Sequence, residues 1–268
     1  MSQLGPGRPA IVEAAERIRD GIVATPCTQT RAFGDVAGGS YHLKFENLQR
    51  TGSFKDRGSL NRLLQLSPDE RARGVVTASA GNHAQALAYH GGRLGIPVTV
   101  VMPETAPLTK VVNTTGYGAR VIQYGTILDD AAVVAHRLVE EESLVMVPAF
   151  DDHAVIAGQG TMGLEILEQV PNLSLLVVPL GGGGMISGIA QAVKEVKPGV
   201  RIVGVEAAAA ASAMASRAAG EVVKIAHSDT LADGIATKRV GDLTFPMIEH
   251  YVDDLVSVGE EEIAAAIL

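Results

Sequence analysis

The chain has 268 residues, 47% of them hydrophobic, and a net charge of -8, which fits one large or two modest units with a sizeable core and excludes a disordered polymer. With no basic tract and only 4% aromatics it excludes a nucleic-acid partner, and no apolar run reaches the ~18 residues of a membrane span. Met1–Pro9 lacks a signal pattern, and the single Cys27 excludes an intrachain disulfide framework or a cysteine-rich zinc site, so a soluble protein of a reducing compartment, the cytoplasm, is expected.

In chain order, the pattern predicts a helix near Ile11–Asp20, a strand near Tyr41–Phe45 and a helix over Lys55–Leu66. Strand Gly74–Ala78, helix Ala84–Leu94, strand Val98–Met102, helix Leu108–Thr115, strand Arg120–Gln123, helix Asp129–Glu142 and strand Val145–Val147 follow. Then come helix Ala154–Gln169, strand Leu175–Pro179, helix Met185–Val196, strand Ile202–Glu206, helix Phe245–Tyr251 and strand Leu255–Val258. The alternation predicts an α/β fold with largely parallel twisted sheets covered by helices on both faces. Leu175–Val178 is continuously apolar, as a strand buried on both faces should be. Ala207–Ala211 is read as helix because alanine is the best helix former. Gly259–Glu262 reads as a helix start with acids at the positive dipole end. The chain then stops at Leu268 with no glycine cap and no basic last turn, so it is expected to end mid-element as a truncated piece. No long linker appears, so a second domain is expected to be inserted within the first.

Three segments carry chemistry. Lys55 lies in Thr51-Gly52-Ser53-Phe54-Lys55-Asp56-Arg57-Gly58, a turn-to-helix junction. A lysine forms Schiff bases with carbonyl cofactors, above all pyridoxal phosphate (PLP), and must be neutral part of the time to do so. Burial and a helix N-terminus with Ser53 as N-cap both disfavour its ammonium. Thr77–Gln85 runs from a strand end into a helix. Ser79, Asn82 and free N–H groups there suit a carboxylate, although Ser79 or Asn82 also suits a plain helix cap and His83 an ordinary partly buried histidine. Leu180-Gly181-Gly182-Gly183-Gly184-Met185 joins an apolar strand to a helix. Its glycines let backbone approach an anion, or else form a tight turn. The run fits neither the P-loop nor the dinucleotide fingerprint, whose sixth position would fall on Ile186 or Ser187. A lone phosphate, as in PLP, suits it better.

Together these segments resemble the fold-type II PLP-dependent enzymes, in the threonine dehydratase and serine racemase family. Lys44–Lys55 resembles the family's lysine motif, Ser79–His83 its substrate-carboxylate loop and Gly181–Gly184 its phosphate cup. Ala157–Thr161 and Thr230–Ala236 are further matches, in consistent order over nearly the whole chain. The resemblance implies a Schiff base between Lys55 and PLP, with Phe54 packed close to the cofactor and Asn82 bonded to its phenolic oxygen. Gly181, Gly182, Gly183, Gly184 and Met185 would bind the phosphate. Ser53, Ser79, Ala80, Gly81, Asn82 and His83 would surround the substrate carboxylate.

The sequence departs from the family in three places. Serine racemases carry a second serine where Ala80 stands; alanine there resembles the threonine dehydratases. Some relatives bind a divalent cation near Glu206–Ser212; Glu206 matches the acidic ligand, but Ala210 offers only its carbonyl and Ser212 replaces an aspartate. No metal is assigned. The relatives continue into a Ser-Gly-Gly-Asn-like loop that partners the pyridine nitrogen, which nothing up to Leu268 supplies.

The resemblance thus implies a PLP-dependent ammonia-lyase, a carbon-nitrogen lyase of amino-acid metabolism. It would convert L-threonine or L-serine by β-elimination into a 2-oxo acid and ammonia. Serine racemisation and hydroxyaspartate deamination on the same scaffold stay open, as does a non-catalytic PLP- or amino-acid-binding protein. The implied architecture is two-domain and tryptophan synthase β-like. Residues 1–73 and 148–268 form a large PLP-binding domain and 74–147 a small one, with Lys55 between them. The implied partners are a small amino-acid substrate and further copies of the chain in a dimer or tetramer, with no nucleic acid and no membrane.

Overall fold

The computed structural model describes residues 4–31 and 39–268; residues 1–3 of the N-terminal segment Met1–Pro9 lie outside that range. Helix α1 (Gly7–Ile18) leads into an antiparallel pair, β1 (Cys27–Thr30) and β2 (Tyr41–Lys44), and then into helices α2 (Lys55–Leu64) and α3 (Pro68–Arg73). A regular alternation follows: β3 (Val75–Ala78), α4 (Asn82–Leu94), β4 (Val98–Met102), α5 (Leu108–Gly116), β5 (Arg120–Gln123), α6 (Leu128–Glu142) and β6 (Val145–Met146). Helix α7 (His153–Gln169) opens the remainder, with β7 (Leu175–Pro179), α8 (Gly184–Lys194), β8 (Arg201–Ala207), α9 (Ser212–Ala219), α10 (Thr244–Tyr251), β9 (Asp254–Val258) and α11 (Glu260–Ile267).

Two all-parallel sheets result, in the orders β5-β4-β3-β6 and β7-β8-β9. The first is buried on both faces: Val75, Val98, Val100 and Met102 meet α4 residues such as Leu87, while Val76 and Val101 meet Val134 and Leu138 of α6. Such double burial is what a parallel sheet between helices requires. The α/β expectation holds, and the antiparallel β1–β2 pair is the exception to parallel pairing.

Three local expectations are corrected. Leu175 and Val177 of β7 are 49% and 57% exposed, so that strand buries only one face, through Val178 and Leu180 against Ile186, Ile202 and Ile248. The alanine run is split between the end of β8 and a 3-10 turn at Ala208–Ala210; the α-helix starts at Ser212. Helix α3 was not anticipated, although Ser67 and Glu70 form a reciprocal capping box at 3.3 and 2.8 Å with Pro68 in the first turn.

Helix α7 is the hub on which α1, α2 and α8 pack. The Ala157–Thr161 motif serves that packing. A Cβ on Gly158 would sit 2.7 Å from the Arg57 carbonyl oxygen, and one on Gly160 would sit 2.9 Å from that of Gly188. Thr161 accepts from Arg57 Nη1 at 3.1 Å. The Arg57 side chain is fully buried and makes paired bonds of 2.6–2.9 Å to the carboxylates of Glu46 and Glu165. Lys44 reaches Glu165 at 2.5 Å, so two cations and two carboxylates close one network tying β2 and α2 to α7.

Candidate active site

Lys55 is the first residue of α2. The N-cap position falls on Phe54, one residue after the expected Ser53, with helical torsions (φ -54°, ψ -17°) and no side-chain capping bond of its own. Ser53 Oγ still accepts from the Lys55 N–H, at 3.3 Å. The preceding loop is fixed by buried Asp56, which accepts from Thr51 N–H at 3.0 Å, Thr51 Oγ1 at 2.8 Å and His90 Nε2 at 3.1 Å. The Lys55 amine donates to the Ala149 carbonyl at 2.7 Å and stands 5.1 Å from the Phe54 ring centroid. No carboxylate pairs with it among the described residues. Burial pushes its pKa from 10.5 down to about 8. The residue as a whole remains partly exposed.

The second segment leaves β3 and enters α4. Ser79 N–H extends the strand pairing to Val101 O at 3.0 Å, and Ser79 Oγ accepts from Gly81 N–H at 3.3 Å. Among the described residues, nothing accepts from the N–H groups of Asn82, His83 or Ala84, the first three of a 13-residue helix. Ala80 packs on the core of the first sheet. The Asn82 side-chain oxygen accepts from Lys110 Nζ at 3.2 Å. The His83 ring turns inward: Nε2 donates to the Val147 carbonyl at 3.0 Å, and Nδ1 faces Ser59 Oγ at 3.4 Å. Burial, then the positive charge of Lys55, lowers its pKa to about 3, so the ring is neutral. Of the expected carboxylate-binding groups, His83 therefore offers its backbone N–H and not its ring.

The third segment links β7 to α8. All four glycines are buried, and the space beside them is taken. A Cβ on Gly182 would collide with the Phe150 ring, one on Gly184 would sit 2.8 Å from Phe150 atoms, and one on Gly181 would sit 2.9 Å from the Ile235 backbone. Gly183 has φ +92°, a conformation that disfavours any side chain. Among the described residues, none accepts from the N–H groups of Gly184, Met185 or Ile186 at the start of α8. Phe54 and Met185 pack against the same core cluster, which brings the lysine segment to the glycine helix.

Residues 147–150 join the three segments. Val147 O holds His83, Ala149 O holds Lys55 and Phe150 lines the glycine run. Ala149 and Phe150 carry no sequence signal, since one acts through a carbonyl and the other through its place in the fold. The Thr230–Ala236 motif ends in the 3-10 turn Asp233–Ile235, whose backbone walls Gly181. Glu206 is not poised for a cation: its carboxylate accepts from the N–H groups of Ala213 and Met214 at 2.8 and 2.9 Å, capping α9. Among the described residues, no group of three or more His, Cys, Asp or Glu converges on a metal-binding position, and no helix is long and apolar enough to cross a membrane.

The chain is similar to known proteins along most of its length. The chain is 48% identical over 258 residues to the L-threonine ammonia-lyase of Thermotoga maritima, covering 96% of this chain and 64% of that protein. It is 41% identical over 253 residues to the L-threo-3-hydroxyaspartate ammonia-lyase of Saccharomyces cerevisiae, covering 94% and 78%. The solved structure of maize serine racemase superposes with a TM-score of 0.94 at 36% identity, covering 97% of this chain and 79% of that one. The chain thus spans somewhat less than two thirds of the length of the first of these relatives. The pyridoxal-phosphate dependent enzyme family matches residues 18–268, and the chain belongs to that family, with its fold-type II α/β architecture.

Proposed function

We propose that this protein is a PLP-dependent ammonia-lyase that converts L-threonine or L-serine by β-elimination, followed by hydrolysis, into a 2-oxo acid and ammonia. The observation that carries the reading is the Lys55 amine, with a pKa lowered to about 8, joined through Ala149 and Phe150 to a four-glycine cradle. The residues fit the cofactor. The cradle excludes side chains and presents backbone N–H groups at a helix N-terminus, which is a donor set for a phosphate. The lysine is uncharged often enough to react with an aldehyde.

When bound, PLP supplies the electron sink that makes the substrate α-proton acidic. The chain supplies the rest. Gly181–Gly184 and Met185 would hold its phosphate, the Asn82 amide would serve its phenolic oxygen and Phe54 would pack beside it. The N–H groups of Asn82, His83 and Ala84, with the hydroxyls of Ser53 and Ser79, hold the substrate carboxylate; Ala80 and Gly81 leave room for it. Lys55 Nζ takes the α-proton as general base and returns a proton to the departing β-hydroxyl. Hydrolysis in water then gives 2-oxobutanoate from threonine or pyruvate from serine, with ammonia.

Ala80 favours elimination over racemisation, since no hydroxyl stands there to serve as acid and base opposite Lys55. The names of the relatives support the lyase reading and keep a hydroxyaspartate substrate as its nearest competitor. The same proposal includes residues 74–147 as a small unit against 1–73 and 148–268, a dimer or tetramer, and a cytoplasmic setting.

The test is chemical. Borohydride treatment of the PLP-loaded protein, followed by peptide mapping, should place the label on Lys55. L-threonine and L-serine should yield 2-oxo acid, and Lys55→Ala should yield none. A label on another lysine, or turnover by the alanine variant, would remove Lys55 from this role. D-serine formation exceeding 2-oxo acid release would replace the lyase with a racemase.

A further inference from the structure

A buried hydroxyl makes the shortest bond that holds the glycine cradle from behind. Thr244, fully buried at the start of α10, donates from Oγ1 to the Gly182 carbonyl at 2.7 Å. The same oxygen accepts from Gly241 N–H at 2.8 Å, and that N–H also reaches Gly182 O at 3.2 Å. Thr244 is itself anchored: Asp151 accepts from the N–H groups of Asp242, Leu243 and Thr244 at 2.9, 2.9 and 3.3 Å. Asp151 follows Phe150, whose ring lies against Gly182 and whose backbone and Cβ lie against Gly184.

The consequence lies in the Gly182–Gly183 peptide. In a trans peptide the C=O and N–H point in opposite directions. Fixing the Gly182 carbonyl on Thr244 therefore fixes the Gly183 N–H on the side away from Thr244, where no described residue accepts from it. Gly183 has φ +92°, and glycine populates both signs of φ about equally, so this plane depends on its anchors: the Thr244 hydroxyl at 2.7 Å and the longer bond from Gly241 N–H at 3.2 Å, whose N–H is itself held by Thr244 Oγ1. A Cβ on Gly183 would sit 2.7 Å from Thr244 Oγ1, so the two residues are in direct apposition.

We propose that Thr244 is a positioning residue of the anion cradle, its hydroxyl locking the Gly182–Gly183 peptide so that the Gly183 N–H is presented to a phosphate. This rests on the cradle reading given above. It assigns to α10 a role in phosphate affinity without contact between its side chain and the phosphate.

The experiment compares PLP with pyridoxal, which has the same ring and aldehyde but no phosphate, by equilibrium binding to the protein freed of cofactor. The wild type should prefer PLP strongly. Thr244→Val should lose about tenfold or more in PLP affinity with pyridoxal affinity unchanged. Thr244→Ser, which keeps the hydroxyl, should hold the wild-type ratio. A valine variant with the wild-type PLP-to-pyridoxal ratio, whether or not both affinities fall together, overturns the proposal. So does a serine variant that loses the ratio, and this arm stands even if the valine variant fails to fold. A wild type that binds PLP and pyridoxal equally overturns the cradle reading and the assignment of Thr244 with it.

Discussion

Lys55 and His83 donate to carbonyls two residues apart on one stretch of backbone: Lys55 Nζ to Ala149 O at 2.7 Å and His83 Nε2 to Val147 O at 3.0 Å. Each needs the other's charge to be low. The ammonium of Lys55 depresses the imidazole pKa, and a neutral imidazole spares the lysine a second cation in a buried place. The site thus holds its reactive amine beside a histidine that serves as scaffold.

The first prediction concerns the amine. At a pKa of about 8, roughly 10% of Lys55 is neutral at pH 7, against about 0.03% for a lysine at 10.5. In the protein freed of cofactor, competitive labelling with a limiting amine reagent should modify Lys55 first. Its labelling should rise with pH, pass half-maximum near pH 8 and level off above about pH 9, while surface lysines continue to rise past pH 10. A Lys55 profile that follows the surface lysines would contradict the buried placement of the amine.

His83 sets an acid limit on stability. Its folded pKa of about 3 lies below its ordinary 6.5, so between those values the unfolded chain binds the extra proton. Stability is therefore fully present above pH 6.5 and falls as pH drops toward 3. Imidazole NMR should show His83 as the Nε2–H tautomer with no titration between pH 5 and 8. Denaturation midpoints of His83→Gln against pH should lack part of the wild-type decline between pH 6.5 and 3; identical slopes would remove His83 as the cause.

The buried network around Arg57 predicts a large loss. Removing its guanidinium leaves Glu46 and Glu165 facing each other with Lys44 as the remaining cation of the network. Breaking a buried pair by deleting one partner costs about 3–5 kcal/mol. Arg57→Met should lower unfolding free energy by that amount in urea titrations at pH 7. Arg57→Lys should recover little of it, because an ammonium cannot bond two carboxylates in paired fashion. A loss under about 1 kcal/mol would show that water readily replaces the guanidinium.

Much of this was legible in the sequence, for local reasons. Val98–Met102 and Leu175–Pro179 read as strands because their apolar runs are short and bounded by turn residues, and the structure places both within a residue of expectation. Cys27–Thr30 did not read as a strand, since its residues are mostly polar and its burial follows no alternation. Lys55, Ser79–His83 and the glycine run were visible because each is a turn-to-helix junction with its chemistry in consecutive residues. Ala149, Phe150 and Thr244 were not. Their contributions are a carbonyl, a ring face and a buried hydroxyl, brought to the site from 94 positions after Lys55 and 62 after Gly182. The exposed side of Leu175 and Val177 was misread because a continuous apolar run does not say which faces are covered.

The last prediction concerns Lys110, whose ammonium settles the orientation of the Asn82 amide. An ammonium can only donate, so the atom it meets at 3.2 Å is the amide oxygen, and the NH2 group points away from Lys110. In the proposed site that orientation would leave the NH2 group free to donate to the cofactor's phenolic oxygen. In the same proposed site it would also bring the Lys110 charge near that oxygen. Lys110→Met should free the amide to rotate and remove that charge, weakening PLP binding roughly two- to tenfold. The absorbance band of the bound cofactor should titrate at a different pH from wild type, whereas Lys110→Arg, which keeps donor and charge, should titrate close to it. Asn82→Ala should be at least as severe, and adding Lys110→Met to it should change little further, because the lysine acts through the amide. Additive losses in the double variant would mean that Lys110 contributes by long-range charge alone and that the hydrogen bond to Asn82 has no part in cofactor binding.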